Sequence, residues 1–241
     1  MPPEIANASS SKMPLNLSAS ATTSSNPLQD YFDHVQEGPG VWKWCHYFEI
    51  YHRHFQQFVG REAVIVEVGV YSGGSLLMWK NYFGPSCRVH GIDIREECRV
   101  YEDVQTTIHI GDQSDRLFWK HFRESVPAVD VLIDDGGHLY EQQRTTLEEM
   151  LPHLKPGGVY LCEDVHGTDN RFSAFIDSLS ADLNALSPIA MEGGSASQLT
   201  SFQAAVHSIH RYPFVVLIEK RDIPVQNFVA PKRGTQWQPF F

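Results

Sequence analysis

The feature that most constrains the fold of this chain is an alternation of short β-branched runs with stretches of helical periodicity. Five runs are nearly continuous in apolar residues, and they lie at 64–68, 88–92, 107–110, 129–133 and 159–162. Strands of this kind are buried on both faces, which is typical of a parallel sheet covered by helices on both sides. The sequence therefore predicts an α/β fold with a Rossmann-like, doubly wound sheet.

The last part of the chain has a different pattern. Two extended runs, 201–209 and 214–219, are separated by only a few residues that include Tyr212 and Pro213. This connection is too short for a helical crossover, so the two runs are expected to pair antiparallel. We therefore predict a mostly parallel, seven-stranded sheet that ends in a C-terminal antiparallel hairpin.

Composition and periodicity divide the chain into four segments. Residues 1–26 are rich in Ser, Ala, Thr and Pro and are expected to form a disordered leader. Residues 27–60 are expected to form a helical segment, 61–222 the α/β domain and 223–241 a C-terminal tail. The helical segment rests on apolar residues at i, i+3, i+4 and i+7 spacing, namely Trp44, Tyr47, Phe48, Tyr51, Phe55 and Phe58.

Charge and cysteine usage exclude several classes of protein. The formal net charge is −10, and no basic cluster is longer than residues 231–233, which argues against a nucleic-acid partner. No apolar run approaches the ~20 residues that cross a bilayer. The four cysteines are far apart, nothing resembles a signal peptide, and the leader lacks the arginines of a transit peptide. We therefore expect a cytoplasmic protein with reduced thiols.

The first strand runs into a glycine turn that opens a helix, with the pattern E-x-G-x-x-x-G. Glycines at this place let the backbone approach a ligand beside the positive end of a helix. A carboxylate before the turn would repel a pyrophosphate but suits a cationic sulfonium, and the missing third glycine disfavours a nicotinamide dehydrogenase. A purely structural turn is the alternative. The candidate cofactor residues here are Glu67, Gly69, Tyr71, Gly73 and Ser75.

Further polar residues follow the later strands. Asp93 lies at the end of the second strand, where it could accept hydrogen bonds from ribose hydroxyls, and Asp112 and Gln113 follow the third, near the expected adenine. Asp134, at the end of the fourth strand, completes the candidate cofactor set. Asp112 or Asp115 could instead simply cap the helix that follows.

Three acids at the ends of the fourth and fifth strands form a candidate metal site. If these strands are neighbours, Asp135, Glu163 and Asp164 converge, and three carboxylates would raise one another's pKa unless a cation intervened. Oxygen ligands favour magnesium, manganese or calcium. His138 is close enough to act as the general base. Alternatively, the loop is a plain turn with His138 on its rim, and Glu163 and Asp164 cap a helix.

The ordered set of motifs resembles the metal-dependent macrolide-sugar O-methyltransferases of the demethylmacrocin and mycinamicin type, and the related cephalosporin-hydroxylase-like sequences. The resemblance covers about residues 42–220. Its motifs are E-V-G-V at 67–70, G-I-D at 91–93, G-D-Q-S-D at 111–115, I-D-D-G-G-H at 133–138 and K-P-G-G with E-D at 155–158 and 163–164.

This resemblance implies a class I methyltransferase fold, S-adenosylmethionine as the cofactor and Mg²⁺ or Mn²⁺ as the metal. It implies metal ligation by Asp135, Glu163 and Asp164 and a general-base role for His138. The segment with Lys43, His46, Tyr47 and Tyr51 is similar to the one covering the cofactor's amino-acid end, although both tyrosines could be core aromatics. Gly137 stands where the family frequently has serine, and the chain is expected to lack the large amino-terminal domain of the macrolide enzymes. The resemblance therefore supports the metal site more strongly than it supports a particular substrate.

Together these features predict an S-adenosylmethionine-dependent, metal-assisted O-methyltransferase of secondary metabolism. Its acceptor would be a hydroxyl of a small metabolite, either a sugar or a diol-bearing natural product, and a homo-oligomer is expected. Residues 168–200, with a mobile loop at 191–195, would set acceptor specificity, and His166 and Asp169 could line the substrate pocket. The alternatives are a hydroxylase-like oxygenase and a catalytically silent binding protein of the same fold.

Overall fold

The structure is a computed structural model that describes residues 26–223 and 225–235. The elements in chain order are α1 (Pro27–His34), α2 (Tyr47–Phe55), β1 (Val64–Val68), α3 (Gly74–Phe83), β2 (Arg88–Asp93), β3 (Thr106–Ile110), α4 (Arg116–Ser125), β4 (Val129–Asp134), α5 (Tyr140–Met150), β5 (Leu154–Cys162), α6 (Arg171–Leu183), β6 (Pro188–Ile189), β7 (Gly194–Gln198), α7 (Ser201–Ala205), β8 (Val206–Tyr212), β9 (Val215–Lys220) and β10 (Asn227–Pro231). The predicted leader, apart from Asn26, lies outside the described residues.

The main sheet has seven strands in the order β3-β2-β1-β4-β5-β9-β8. Strands β1 to β5 are mutually parallel, whereas β9 is antiparallel to both β5 and β8. The predicted doubly wound sheet with a terminal antiparallel hairpin is thereby confirmed. The strand order reverses between β1 and β4, and ligands of such sheets bind at the carboxyl ends beside that point.

Two apolar cores cover the two faces of the sheet. On one face α1, α2 and α3 contribute fully buried side chains such as Leu28, Phe48 and Trp79. On the other face α4, α5 and α6 contribute Trp119 and Phe172 among others. Since both faces are covered, β1 is buried along its whole length, which explains its continuous apolar pattern.

The five parallel strands contain the predicted apolar runs, although β5 already begins at Leu154. The prediction for the run 201–209 is wrong in part. The run 201–209 was expected to be extended throughout, whereas residues 201–205 form the helix α7. Thr200 accepts a hydrogen bond from the backbone N–H of Gln203, whose side chain in turn binds the Thr200 backbone. This reciprocal cap stabilises one helical turn before the strand begins.

A second, three-stranded antiparallel sheet has the order β10-β7-β6. Part of the segment predicted as a tail therefore forms a strand, β10, along β7. The loop predicted at 191–195 leads directly into β7, and its Gly194 pairs with Pro231. No helix of the described residues is long and apolar enough to cross a membrane.

Two partly buried histidines on the adjacent strands β2 and β3 make the free energy of unfolding depend on pH. His90 Nδ1 lies 3.0 Å from His109 Nε2, and burial, followed by the neighbouring ring, lowers the pKa of His90 from 6.5 to about 4. Between these two values the unfolded chain binds a proton that the folded chain excludes. The free energy of unfolding therefore falls as the pH decreases from about 6.5 to about 4.

We expect His90→Gln to weaken this pH dependence. Urea unfolding at several pH values in this window would measure it, with His121→Gln, at an exposed position, as the control that keeps the wild-type slope. Identical slopes for wild type and His90→Gln would contradict the assignment.

Candidate active site

The glycine turn after β1 brings the backbone of two strand ends into contact. Gly69 has φ +92°, and a Cβ at this position would lie 2.0 Å from the carbonyl oxygen of Asp135. Gly73, with φ +71°, is the N-cap of α3. The turn can therefore pass directly against the loop after β4 only because position 69 has no side chain.

Gly69→Ala tests this close approach. We expect it to lower the free energy of unfolding by about 2 kcal/mol more than Gly60→Ala, because overpacking adds to backbone strain. Gly60 is a matched control, since its φ is +75° but a Cβ there would meet nothing within 4 Å. Chemical denaturation of both variants measures the difference, and equal losses would show that the Asp135 loop moves away without cost.

A cleft of about 1190 Å³ opens at the carboxyl ends of β1 to β5. This volume exceeds that of an ordinary single-ligand pocket, so the cleft can hold a cofactor and a second molecule together. Five of the predicted cofactor residues line it: Gly69, Tyr71, Ser75, Asp93 and Gln113.

The other four predicted cofactor residues are not among those that line the cleft. Glu67 is fully buried and accepts a hydrogen bond from Ser75 Oγ at 2.7 Å. Gly73 positions the start of α3. Asp134 is buried and accepts hydrogen bonds from Gln113 Nε2 and Tyr160. Asp112 is exposed, and its Oδ1 accepts hydrogen bonds from the backbone N–H and the hydroxyl of Ser114.

Asp93 and Gln113 organise the cleft as well as lining it. One oxygen of Asp93 accepts hydrogen bonds from the backbone N–H groups of Val70 and Tyr71, at 3.0 and 3.1 Å. Gln113 Oε1 accepts from the N–H of Gly137 at 2.8 Å, and Trp119 binds the Gln113 carbonyl. Both side chains therefore tie neighbouring loops to the strand ends.

A buried lysine lies among the acids of the cleft. Lys43 Nζ is 2.7 Å from Asp135 Oδ2, 2.9 Å from Glu163 Oε1 and 3.4 Å from Glu67 Oε1. Its side chain is only 3% exposed. The protein therefore supplies part of the positive charge that the gathered carboxylates require. No sequence pattern predicts this contact, because Lys43 is 92 residues from Asp135.

Burial and charge act in opposite directions on these groups. Burial lowers the pKa of Lys43, but the carboxylates of Glu163, Asp135 and Glu67 together raise it well above its ordinary value. The pKa values of Glu67 and Glu163 are raised chiefly by burial, and in Glu163 also by the charge of Asp135. The lysine stays charged and limits the rise of both acids.

Side chains of α2 and of the loop before it donate hydrogen bonds to Glu163 and Asp164, the two acids that follow β5. The Tyr47 hydroxyl donates to Asp164 Oδ1 at 2.8 Å, and the Tyr51 hydroxyl donates to Glu163 Oε1 at 2.7 Å. Trp44 Nε1 also donates to Asp164, at 3.1 Å. Both tyrosines are fully buried, as expected of core aromatics, and their hydroxyls also hold cleft acids. That this segment covers the amino-acid end of the cofactor stays a prediction.

Asp135, His138 and Asp164 form an open group at the mouth of this network. His138 Nε2 lies 3.9 Å from Asp135 Oδ1 and 3.7 Å from Asp164 Oδ2. Donor atoms of all three lie within 4.8 Å of one another, an arrangement that fits a divalent cation. Two of the predicted ligands, Asp135 and Asp164, thus face one space.

Glu163 lines the same cleft but uses Oε1 to bind Lys43 and Tyr51. Its role as third metal ligand stays a prediction. His166 also lines the cleft, as expected for a pocket residue, whereas Asp169 is not among the lining residues. The cleft is also lined by the exposed Trp42 and Trp44, which were not predicted as pocket residues and which form an aromatic wall.

Three residues that line the cleft have left-handed backbone conformations. Tyr71, His138 and Asp164 have φ values of 48°, 56° and 55°. Such backbone conformations are unfavourable for residues other than glycine and are retained mainly where the surrounding structure enforces them. Their concentration here agrees with a functional role of the cleft.

The strand order and the cleft at its carboxyl edge define a class I methyltransferase fold. Residues 66–165 match the family described as a methyltransferase domain. The structure aligns with the MycE methyltransferase of the mycinamycin biosynthetic pathway, solved with Mg, SAH and mycinamycin VI. That alignment has a TM-score of 0.66 and 23% identity and covers 81% of this chain and 53% of the other.

Curated relatives are O-methyltransferases by name, and one of the names specifies a rhamnosyl compound. The chain is 34% identical over 132 residues to demethylmacrocin O-methyltransferase from Streptomyces fradiae, covering 52% of this chain and 33% of the relative. It is 31% identical over 206 residues to 8-demethyl-8-alpha-L-rhamnosyl tetracenomycin-C 2'-O-methyltransferase from Streptomyces olivaceus, covering 78% of this chain and 53% of the relative. The chain thus spans a third to a half of these relatives' lengths.

Proposed function

We propose that this protein transfers the methyl group of S-adenosylmethionine to a hydroxyl oxygen of a small metabolite, with a sugar or another diol as the acceptor. The observation that carries the proposal is the open group of Asp135, His138 and Asp164 inside a cleft large enough for cofactor and acceptor. The relatives named as O-methyltransferases, one of them for a rhamnosyl compound, and the Mg and SAH in the MycE structure support it.

Different residues of the cleft would bind the metal and accept the proton. Asp135 and Asp164 would hold Mg²⁺ or Mn²⁺, with Glu163 as the further candidate ligand. When bound, the metal would orient two neighbouring hydroxyls and acidify one of them. His138 Nε2 would accept the proton of that hydroxyl as its oxygen bonds to the methyl carbon and the carbon–sulfur bond breaks, which leaves S-adenosylhomocysteine and the methyl ether.

The aromatic wall agrees with an acceptor that has an apolar face. Trp42 is 85% exposed and Trp44 is 52% exposed, although both line the cleft. Exposed tryptophan rings at a pocket mouth offer a flat surface against which the C–H face of a sugar ring can pack. The group of Asp135, His138 and Asp164 contains a single histidine, so the cleft does not offer the two histidines and one carboxylate that bind iron in an oxygenase.

Calorimetric titration with S-adenosylmethionine and S-adenosylhomocysteine, with Mg²⁺ and then with a chelator, tests the class. We expect micromolar cofactor binding and methyl transfer to a diol-bearing sugar only when the metal is present. Absence of cofactor binding under both conditions would refute the proposal. The cytoplasmic location and the homo-oligomeric state stay predictions from the sequence.

His138→Ala tests the general base. We expect turnover to fall by about 100-fold while the dissociation constant of S-adenosylmethionine changes little, because the imidazole acts on the acceptor proton. Steady-state kinetics and calorimetry measure the two effects separately. Normal turnover of His138→Ala would remove its assignment as the base.

A further inference from the structure

A second cluster of potential metal ligands lies away from the cleft, between α2 and the β8–β9 hairpin. It contains His54, His210 and Glu219, with one donor atom from each within 4.8 Å of the others. Glu219 pairs with Val159 of β5 and His210 pairs with Leu217 of β9, so the cluster lies along the hairpin, and none of its three residues lines the cleft. Nothing in the proposed reaction uses these residues.

The three residues of the cluster and the neighbouring Ser208 are joined by polar contacts of 2.6–3.3 Å, which are at or below the separation of ligand atoms around one zinc ion. His54 Nδ1 lies 2.8 Å from Glu219 Oε1, and His210 Nε2 lies 3.3 Å from Glu219 Oε2. Ser208 Oγ is 3.0 Å from His210 Nε2 and 2.6 Å from Glu219 Oε2. Zinc–ligand bonds of about 2.0–2.1 Å place neighbouring ligand atoms about 3.3 Å apart.

The surroundings orient and charge the ligands in the way that metal sites require. The Nε2 of His54 is 2.8 Å from the Tyr212 hydroxyl, so Nδ1 can bind a metal while Nε2–H donates to that oxygen. Without a metal, His54 Nδ1 instead donates to Glu219, and the hydrogen bonds from His54, Ser208 and His210 lower the pKa of Glu219 to about 2, so the carboxylate is ionised at neutral pH.

The cluster is partly buried but remains accessible to an ion from solvent. The His54 side chain is 6% exposed, whereas those of Glu219 and His210 are 25% and 34% exposed. The protein thus offers two imidazoles and one carboxylate from three different elements, with Ser208 or a water as the fourth donor. Two nitrogens and one oxygen favour zinc over magnesium or calcium.

We propose that His54, His210 and Glu219 bind one Zn²⁺ ion that fastens α2 to the β8–β9 hairpin. His54 follows Tyr51 by one helical turn, and Tyr47 and Tyr51 of the same helix hold the cleft acids. The metal would therefore be structural, at about 10 Å along α2 from Tyr47. It would hold the helix in the position that the two tyrosines need.

Titration of the untagged full chain with Co²⁺ tests the site, because four-coordinate cobalt has visible absorption bands that report its geometry. All measurements use the Asp135→Asn background, which removes one donor of the open acid group. We expect one equivalent of tetrahedral Co²⁺, displaced by Zn²⁺. His210→Gln should weaken binding at least about 100-fold, since even outer partners of metal ligands contribute 10–100-fold.

His207→Gln is the matched control, because His207 lies on the same strand but is exposed. It should bind cobalt as the background protein does, and Zn²⁺ should raise the melting temperature of both but not that of His210→Gln. Far-ultraviolet circular dichroism checks that each variant is folded. Equal cobalt affinity in His210→Gln and the background, or no tetrahedral cobalt at micromolar concentration, would overturn the proposal.

Discussion

Replacing Asp135 by asparagine is expected to lower the turnover number about 1000-fold while the protein stays folded and binds S-adenosylmethionine. Asparagine keeps the shape of the side chain but removes the negative charge that faces His138 and Asp164. A metal that acidifies a hydroxyl contributes several kcal/mol to transition-state stabilisation, and each ~1.4 kcal/mol corresponds to a tenfold rate. Lys43 retains Glu67 and Glu163 as partners, so the fold should tolerate the change.

Steady-state kinetics against magnesium concentration, with calorimetry for the cofactor, measures this effect. Asp112→Asn is the control, because Asp112 also follows a strand but is exposed and binds Ser114. We expect it to retain wild-type turnover. A large loss in Asp112→Asn, or normal turnover and metal dependence in Asp135→Asn, would contradict the placement of the metal.

Removing the charge of Lys43 should have the largest effect on stability. Lys43→Met leaves Glu67, Asp135 and Glu163 together without their shared cation, and breaking a buried ion pair costs about 3–5 kcal/mol. The loss should be greatest with a chelator present and smaller with Mg²⁺, which would restore part of the positive charge. Urea unfolding under both conditions measures the difference.

The pH dependence of this loss has a definite sign. Glu67 and Glu163 have raised pKa values in the folded protein, so the folded chain retains protons that the unfolded chain releases. Protonated carboxyls need no cation, and the destabilisation by Lys43→Met should therefore shrink as the pH falls. A loss that grows towards low pH would show that packing rather than charge is responsible.

Lys155→Met is the control for the general effect of removing a lysine. Lys155 binds Asp130 at 2.6 Å, but its side chain is 36% exposed. Partly exposed ion pairs contribute about 0–1 kcal/mol, so the control should be close to wild type. Equal losses in Lys43→Met and Lys155→Met would remove the special role of the buried lysine.

The site residues show how far a sequence can specify a site. Asp135 and Asp164 were correctly expected to meet because parallel strands end at one edge of a sheet, a rule that needs only strand order. Asp112 also follows a parallel strand, but it does not line the cleft, because its side chain accepts hydrogen bonds from Ser114 two residues later. Strand ends locate a carboxylate, whereas local hydrogen bonds decide where it points.

The sequence by itself determined the parallel strands of the sheet and the glycine turn, because these depend on short-range burial patterns and backbone freedom. Only the tertiary structure decided that Lys43 neutralises acids 92 and 120 residues away, and that His54 meets Glu219 across 165 residues. The physical reason is that a salt bridge or a metal ligand set depends on packing between distant elements. Neither leaves a period or a spacing in the sequence.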